Sequence, residues 1–202
     1  DQRALVLALL GAEDPRAAAK ILADSTDPAL DDVRLVVEVS DTLLSAGMVE
    51  EAEAVLLGQI ARFGDRKPRE RGLIHERLGQ VLLAQGKRER ALSEFELAVL
   101  IDPGNPSLLE HKGRLALNLG ALDSAEKSFR GLLLLALHHD PAHPEGLARS
   151  RLYFELSRIA EARQDRDGAN ELIASAFDAT LGDEREILAL ENALLEHGQD
   201  EL

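Results

Sequence analysis

The sequence predicts an all-α protein built from repeated pairs of antiparallel helices, and three observations lead to this fold class. Ala, Leu, Glu and Arg, all strong helix formers, dominate the 202 residues, while aromatic residues make up only 3%. A set of small and bulky residues recurs four times at fixed offsets. Hydrophobic residues make up 45% of the chain, which is typical of a folded protein rather than a disordered one.

The recurring pattern begins with a small residue that lies seven positions before a loop residue. The small residues are Ser40, Gly79, Gly113 and Ser157, and the loop residues are Gly47, Gly86, Gly120 and Gln164. Five positions later comes an alanine, and four positions beyond it a bulky residue: Ala52 and Leu56, Ala91 and Phe95, Ala125 and Phe129, Ala169 and Ile173. The small residue and the alanine let two helix backbones approach, and the bulky residue fills the adjoining gap. Each unit is therefore predicted to be a helical hairpin.

The elements follow in order along the chain. Residues 1–30 predict a truncated first unit, with one helix from Leu5 to Leu10 and a second that starts at Pro15 and ends near Asp27. Full hairpins are predicted over 33–66, 72–105, 106–139 and 150–183. The extra residues from Lys67 to Arg71 are interpreted as an extended helix start, and the third hairpin is expected to have a longer second helix.

Residues 184–197 predict a final single helix with four leucines on its apolar side: Leu188, Leu190, Leu194 and Leu195. Its close-approach position holds Glu191 instead of a small residue. Arrays of hairpins need a terminal helix with a polar outer face, and we interpret this helix as that cap. We expect residues 1–202 to form a single domain.

Residues 72–105 resemble the tetratricopeptide repeat at nearly every signature position: Leu78, Gly79, Leu82, Gly86, Ala91, Phe95, Ala98 and Pro103. The resemblance implies a right-handed α-α superhelix, a solenoid of about four full repeats with a partial repeat before them and a capping helix after them. It further implies that the first helices line a concave groove and that the protein is a scaffold or adaptor for other proteins.

The helical period places the positions three before, one after and four after each small residue on a stripe beside the hairpin contact. From this stripe we predict nine groove residues: Val37, Asp41, Leu44, Gln80, Leu83, Arg114, Leu117, Phe154 and Arg158. The leucines could hold apolar side chains of a peptide or an amphipathic helix, and the two arginines could pair with its carboxylates. Half-buried packing between adjacent hairpins is the alternative interpretation of the leucines.

Other classes of function are disfavoured. A net charge of −14 argues against a nucleic acid partner, and the absence of cysteine excludes thiolate chemistry. The longest apolar run, Leu132 to Leu137, is too short for membrane insertion. The sequence HHDPAH, with His138, His139, Asp140 and His143, could bind a metal but also suits a helix C-terminus. We expect no metal, no cofactor and no catalytic site, because no catalytic motif occurs.

Two rival functions stay open. The chain could be a self-assembling scaffold that forms homo-oligomers, in which case the run from Leu132 to Leu137 is expected to be exposed. It could also be a structural spacer within a longer bacterial protein of many repeats, an interpretation favoured by a chain that begins at Asp1 rather than Met.

Overall fold

The computed structural model describes residues 2–25, 27, 30–64, 68–138 and 147–200. Every extended regular element within these ranges is an α-helix, and no strand occurs in them. The prediction of an all-α fold made of helix pairs is confirmed. The chain divides into two compact units, Asp1–Pro103 and Gly104–Leu202, here called the N-terminal and the C-terminal unit. That residues 1–202 act as a single domain stays a prediction.

The helices of the N-terminal unit follow one another in antiparallel pairs. They are α1 (Gln2–Gly11), α2 (Pro15–Asp24), α3 (Val33–Ser45), α4 (Val49–Phe63), α5 (Pro68–Ala84) and α6 (Arg88–Ile101). Each odd-numbered helix packs on the even-numbered helix that follows it, and neighbouring pairs meet through α2 with α3 and α4, and through α5 with α3 and α4.

Capping residues explain where these helices begin and end. Pro15 occupies the first turn of α2, and Asp14 accepts a hydrogen bond from the backbone N–H of Ala17 at 3.1 Å. Gly47 and Gly86 both have a φ of 74°, which is the left-handed conformation that ends a helix without steric cost in glycine. The chain can therefore reverse directly into α4 and α6.

The C-terminal unit continues the same alternation and ends on an unpaired helix. Its helices are α7 (Pro106–Asn118), α8 (Leu122–His138), α9 (Arg149–Ala162), α10 (Arg166–Ala179) and α11 (Glu184–Asp200). The pairs α7–α8 and α9–α10 are the hairpins, α8 also packs on α9, and α11 packs on α9. Gln164 occupies the loop position of the last hairpin with a φ of 64°, where the three full hairpins before it have Gly47, Gly86 and Gly120.

The close approach inferred from the small residues is confirmed at both glycines. A Cβ built on Gly79 would lie 2.9 Å from Cζ of Phe95, and one built on Gly113 would lie 3.1 Å from Cζ of Phe129. Both rings are fully buried. In the hairpins α5–α6 and α7–α8, the two helices therefore touch through a glycine of the first helix and an aromatic ring of the second.

The predicted irregularities of helix length are also present. The helix α5 begins at Pro68, within the extra residues from Lys67 to Arg71, as expected of an extended helix start. The helix α8 has 17 residues, against 15 in α4 and 14 in α6 and α10, which confirms the longer second helix of the third hairpin.

The buried side of α11 differs from the one expected. Leu190 and Ala193 are buried, but Leu188, Leu194 and Leu195 are exposed. Glu186, in the first turn of α11, is buried and hydrogen-bonded to the start of α9, and Leu190 and Ala193 on the same face are buried with it. The outer face of α11 is consequently partly apolar rather than polar. No helix in the described part of the chain is long and apolar enough to cross a lipid bilayer.

Candidate functional site

In the N-terminal unit, the first helices of two successive hairpins, α3 and α5, border an open groove of about 500 Å³. The predicted residues Val37 and Asp41 line it, together with Arg34, Leu73 and Arg77. The groove therefore lies on the helices from which the sequence predicted a partner-binding face, and it combines apolar walls with charges of both signs.

Arg77 joins two of the predicted residues. Its Nη1 donates a hydrogen bond to Oε1 of Gln80 at 2.7 Å, and its Nη2 lies 3.6 Å from Oδ2 of Asp41. Asp41 on α3 and Gln80 on α5 are thereby linked across the groove through a residue that the predicted stripe left out. A carboxylate offered by a partner would meet a guanidinium that is already oriented.

The two leucines predicted for this unit differ in exposure. Leu44 is half-buried, whereas 38% of Leu83 is exposed on α5. Leu44 is consistent with packing between hairpins, as the alternative interpretation holds. Leu83 retains accessible apolar surface next to the polar groups of α5.

In the C-terminal unit, Arg114, Leu117 and Arg158 line one pocket of about 260 Å³. The chain's own carboxylates reach both arginines. Arg158 donates from Nη1 to Oε2 of Glu155 at 3.1 Å, and Arg114 donates from Nη2 to Oε2 of Glu196 at 2.8 Å. The pocket is thus a network of ion pairs in which α7, α9 and α11 each contribute a charged side chain.

Glu155 is the buried member of this network, with 5% of its surface exposed. Burial raises the pKa of the Glu155 carboxyl above its usual range, although the positive charges of Arg158 and Arg114 act in the opposite direction. Glu196 is more exposed and also accepts a hydrogen bond from Arg151 at 2.8 Å. Within the pocket, the carboxylate of Glu155 thus pairs with Arg158 and that of Glu196 with Arg114.

The sequence carried a signal that could have found Arg77 and Glu155. Each lies two positions before the small residue of its hairpin, which is Gly79 in one case and Ser157 in the other. A charged side chain at this position reaches the residues of the predicted stripe from the same helix. Glu196, which comes from α11, has no equivalent in the repeat pattern.

Phe154 offers little surface to a partner, since only 7% of it is exposed. It packs in a cluster with Ala176, Leu190 and Ala193, and its ring stands edge-on to that of His197 at a centroid distance of 6.0 Å. The helix α11 covers Phe154, so this predicted groove residue serves the core of the C-terminal unit.

The metal hypothesis rests on a segment that is mostly outside the described residues, because 139–146 are not among them. His138 is described, and its Nδ1 lies 2.8 Å from the carbonyl oxygen of Leu134 one turn earlier. Across the described ranges, no group of three metal-ligating side chains stands close enough to hold an ion.

The apolar run of α8 divides between core and surface. Leu132 is fully buried, whereas Leu134 and Leu137 are exposed. Only part of the surface invoked for self-assembly is therefore available.

Comparison with known proteins agrees with the geometry of the hairpins. Residues 74–105, which comprise most of α5 and all of α6, match the family model of the tetratricopeptide repeat. The hairpin of α5 and α6 is therefore a tetratricopeptide repeat, as the sequence predicted. The match coincides with the hairpin whose glycine and phenylalanine make the closest helix contact.

Solved structures of tetratricopeptide-repeat proteins share the fold. The crystal structure of MamA protein superposes with a TM-score of 0.62 at 13% identity, covering 88% of this chain and 91% of that chain. YrrB, described as having an unusual peptide-binding site, gives 0.60 at 18% identity and covers 95% and 89%. The repeats of a putative kinesin light chain of Podosopora anserina give 0.61 at 18% identity and cover 91% and 95%. No curated protein sequence matches the chain.

Proposed function

We propose that this tetratricopeptide-repeat protein is a non-catalytic scaffold that binds a peptide or an amphipathic helix of another protein on its first-helix faces. The observation that carries the proposal is the open groove between α3 and α5, in which Val37 and Asp41 stand beside an oriented Arg77. Accessible apolar surface next to fixed charges is what a helix or an extended peptide needs for both affinity and register.

A second feature supports the same function in the C-terminal unit. Leu117 and two arginines, Arg114 and Arg158, line one pocket there. Arginine forms strong bidentate pairs with carboxylates. An acidic side chain of the partner could therefore exchange places with the exposed carboxylate of Glu196.

Substitutions on the two faces of one hairpin test the proposal. The native chain and the variant Leu83→Glu serve as baits for proteins from the source organism, with Leu97→Glu as the matched control. Leu97 lies on α6 and is 43% exposed, close to the 38% of Leu83, so both variants introduce a charge at comparable exposure. A partner that is lost with Leu83→Glu and retained with Leu97→Glu supports binding on the first-helix face.

The C-terminal unit allows the same comparison with Leu117→Glu on α7 and Leu133→Glu on α8, because both leucines are half-buried. Circular dichroism establishes that each bait is folded. Retention of the partner by every variant, or its loss only with the second-helix variants Leu97→Glu and Leu133→Glu, would overturn the proposed binding face.

Self-assembly is the second candidate function, and the exposed side chains of Leu134 and Leu137 favour it. Apolar side chains on one exposed helical face are typical of an interface between copies. Light scattering after size-exclusion chromatography would show a mass above 22.0 kDa that returns to the monomer value in Leu137→Glu. A monomeric native chain would exclude this function at the concentration used.

A further inference from the structure

Gln59 interrupts the repeat pattern at a position that is otherwise apolar. It lies seven residues after the alanine of its hairpin, where the other three hairpins have Ala98, Leu132 and Ala176. All three of those residues are buried, and Gln59 is buried as well, with 3% of its surface exposed. A primary amide thus occupies a core position of α4.

The amide nitrogen of Gln59 lacks an acceptor. Its Nε2 is buried and has no hydrogen-bond partner among the residues that the structure describes. A buried donor without an acceptor costs about 1–3 kcal/mol. An alanine or a leucine would avoid that cost, as the other three hairpins show. An acceptor supplied by a bound molecule would remove that cost.

The surroundings of Gln59 provide room for one. It lines a pocket of about 410 Å³ between α2 and α4, within the N-terminal unit and away from the groove of α3 and α5. Small residues on both helices keep the space open: Ala19, Ala23, Ala54 and Gly58. Leu22, Val36 and Val55 add apolar walls. Its volume falls within the range of small-ligand sites, which runs from about 300 to about 1,000 Å³.

The rim of the pocket is predominantly basic. Arg16 and Lys20 from α2 and Arg62 from α4 line it, and the acidic side chain among its lining residues is Glu51. Arg16 holds Glu51 through a contact of 2.6 Å. Arg62 is fixed by the backbone carbonyls of Leu22 and Ser25 and by Asp31. A negatively charged acceptor is consequently favoured over a neutral one.

We infer that the pocket between α2 and α4 binds an apolar group that carries a carboxylate. The apolar part fills the space between the small residues, while the amide of Gln59 turns toward the bound group so that its Nε2 donates a hydrogen bond to a carboxylate oxygen below the basic rim. The same chemistry is offered by a free aliphatic acid and by the C-terminal leucine of a peptide. This site is independent of the first-helix faces and does not rest on the function proposed above.

Titration with octanoate tests the site in the full chain. Chemical shifts of the side-chain amide of Gln59, recorded in ¹⁵N-labelled protein, are expected to move and to saturate at a stoichiometry of one. Octanamide, which lacks the charge, is expected to bind at least tenfold more weakly. Equal affinity for octanoate and octanamide, or shifts that do not saturate, would overturn the inference.

Variants separate the pocket from general apolar binding. Gln59→Leu removes the donor and matches Leu132 of the third hairpin, and Ala54→Leu fills the space without touching the amide. Both are expected to weaken octanoate binding at least tenfold, as measured by calorimetry. Ala61→Leu, an exposed position of α4 outside the pocket, is the matched control and should bind as the native chain does. Unchanged binding in Gln59→Leu and Ala54→Leu would overturn the site.

A second titration distinguishes the sources of the carboxylate. N-acetyl-leucine presents the apolar side chain and the carboxylate of a chain terminus. Tighter binding of N-acetyl-leucine than of octanoate, lost in Gln59→Leu, supports a peptide terminus, and the reverse order supports a free aliphatic acid. Failure of both compounds to bind would refute the proposal, whatever the outcome of the bait experiments on the first-helix faces.

Discussion

Ser150 and Glu186 are joined by two hydrogen bonds of 2.8 Å, from the backbone N–H of Ser150 to Oε2 of Glu186 and from Oγ of Ser150 to the Glu186 carbonyl oxygen. The other carboxylate oxygen accepts from the backbone N–H of Arg149 at 3.1 Å. The N-cap residue of α9 is Ala148, which has no side chain that could accept these bonds. A carboxylate of α11 therefore caps α9 and compensates for the alanine.

Replacement of Glu186 by alanine is expected to lower the free energy of unfolding by about 2 kcal/mol, because two backbone donors lose a charged acceptor. Urea denaturation of the full chain measures the change. Glu191→Ala is the control on the same helix, at an exposed position, and should change stability by less than about 0.5 kcal/mol. Equal effects of the two substitutions would show that the cap contributes nothing.

Gly79→Ala is expected to destabilise the protein by about 1–3 kcal/mol, although alanine is the better helix former. The new Cβ would lie 2.9 Å from the fully buried ring of Phe95, so the ring or the helix would have to shift. Gly58→Ala serves as the control, because its Cβ meets nothing within 4 Å and the change should stabilise α4 by up to about 1 kcal/mol. Thermal unfolding of both variants measures the difference, and stabilisation by Gly79→Ala would contradict the close contact.

The hairpins could be predicted from the sequence because the residues that form their helix–helix contact lie close together in the chain. Each full hairpin repeats the same pattern: a small residue, a loop residue, an alanine and a bulky residue. These positions mark the point where its two helices cross, and they do not depend on the other hairpins. The predicted bulky positions Phe95 and Phe129 are accordingly in the core.

The candidate site was less predictable, because the positions of its side chains depend on contacts between different hairpins. Arg77 lies on α5 but pairs with Asp41 of α3, and Glu196 of α11 reaches Arg114 of α7. No periodicity encodes such pairs. Phe154 was predicted on the stripe, but it is buried against Leu190 and Ala193 of α11.

The pH dependence of stability should change when Glu155 is replaced by glutamine. Burial raises the pKa of this carboxyl in the folded state, so the folded protein binds more protons than the unfolded chain between the usual glutamate value and the raised one. Stability due to this group therefore falls as the pH rises through that interval. The advantage of Glu155→Gln over the native chain is expected to grow as the pH rises above about 4.3, the usual glutamate value.

Glu126→Gln is the control of opposite sign. Hydrogen bonds from Arg163 and Arg130 lower the pKa of Glu126, so its contribution to stability is present above the usual glutamate value and is lost as the pH falls. The deficit of this variant should shrink on acidification. Parallel pH profiles for the two variants, obtained by denaturation at each pH, would contradict the assigned direction for Glu155.

Glu196→Gln should strengthen the binding of an acidic partner peptide in the C-terminal unit. Glu196 holds Arg114 and Arg151 at 2.8 Å each, and it is exposed. Exposed pairs contribute about 0–1 kcal/mol each, so removing the competing charge is expected to raise affinity several-fold, most clearly at low salt. Fluorescence anisotropy with the captured partner peptide measures this. Glu191→Gln is the control, and weaker binding by Glu196→Gln would show that Glu196 helps to hold the partner.

The principal contacts of each unit join helices that are one or two places apart in the chain. A core substitution in such a molecule therefore affects mainly its own hairpin and the adjacent ones, and the packing of more distant hairpins stays the same. Gln59 of α4 lies where the other three full hairpins have an apolar residue. The residues that line the pocket beside it come from α2, α3 and α4. One hairpin can therefore carry a polar core group that the other three full hairpins lack at this position.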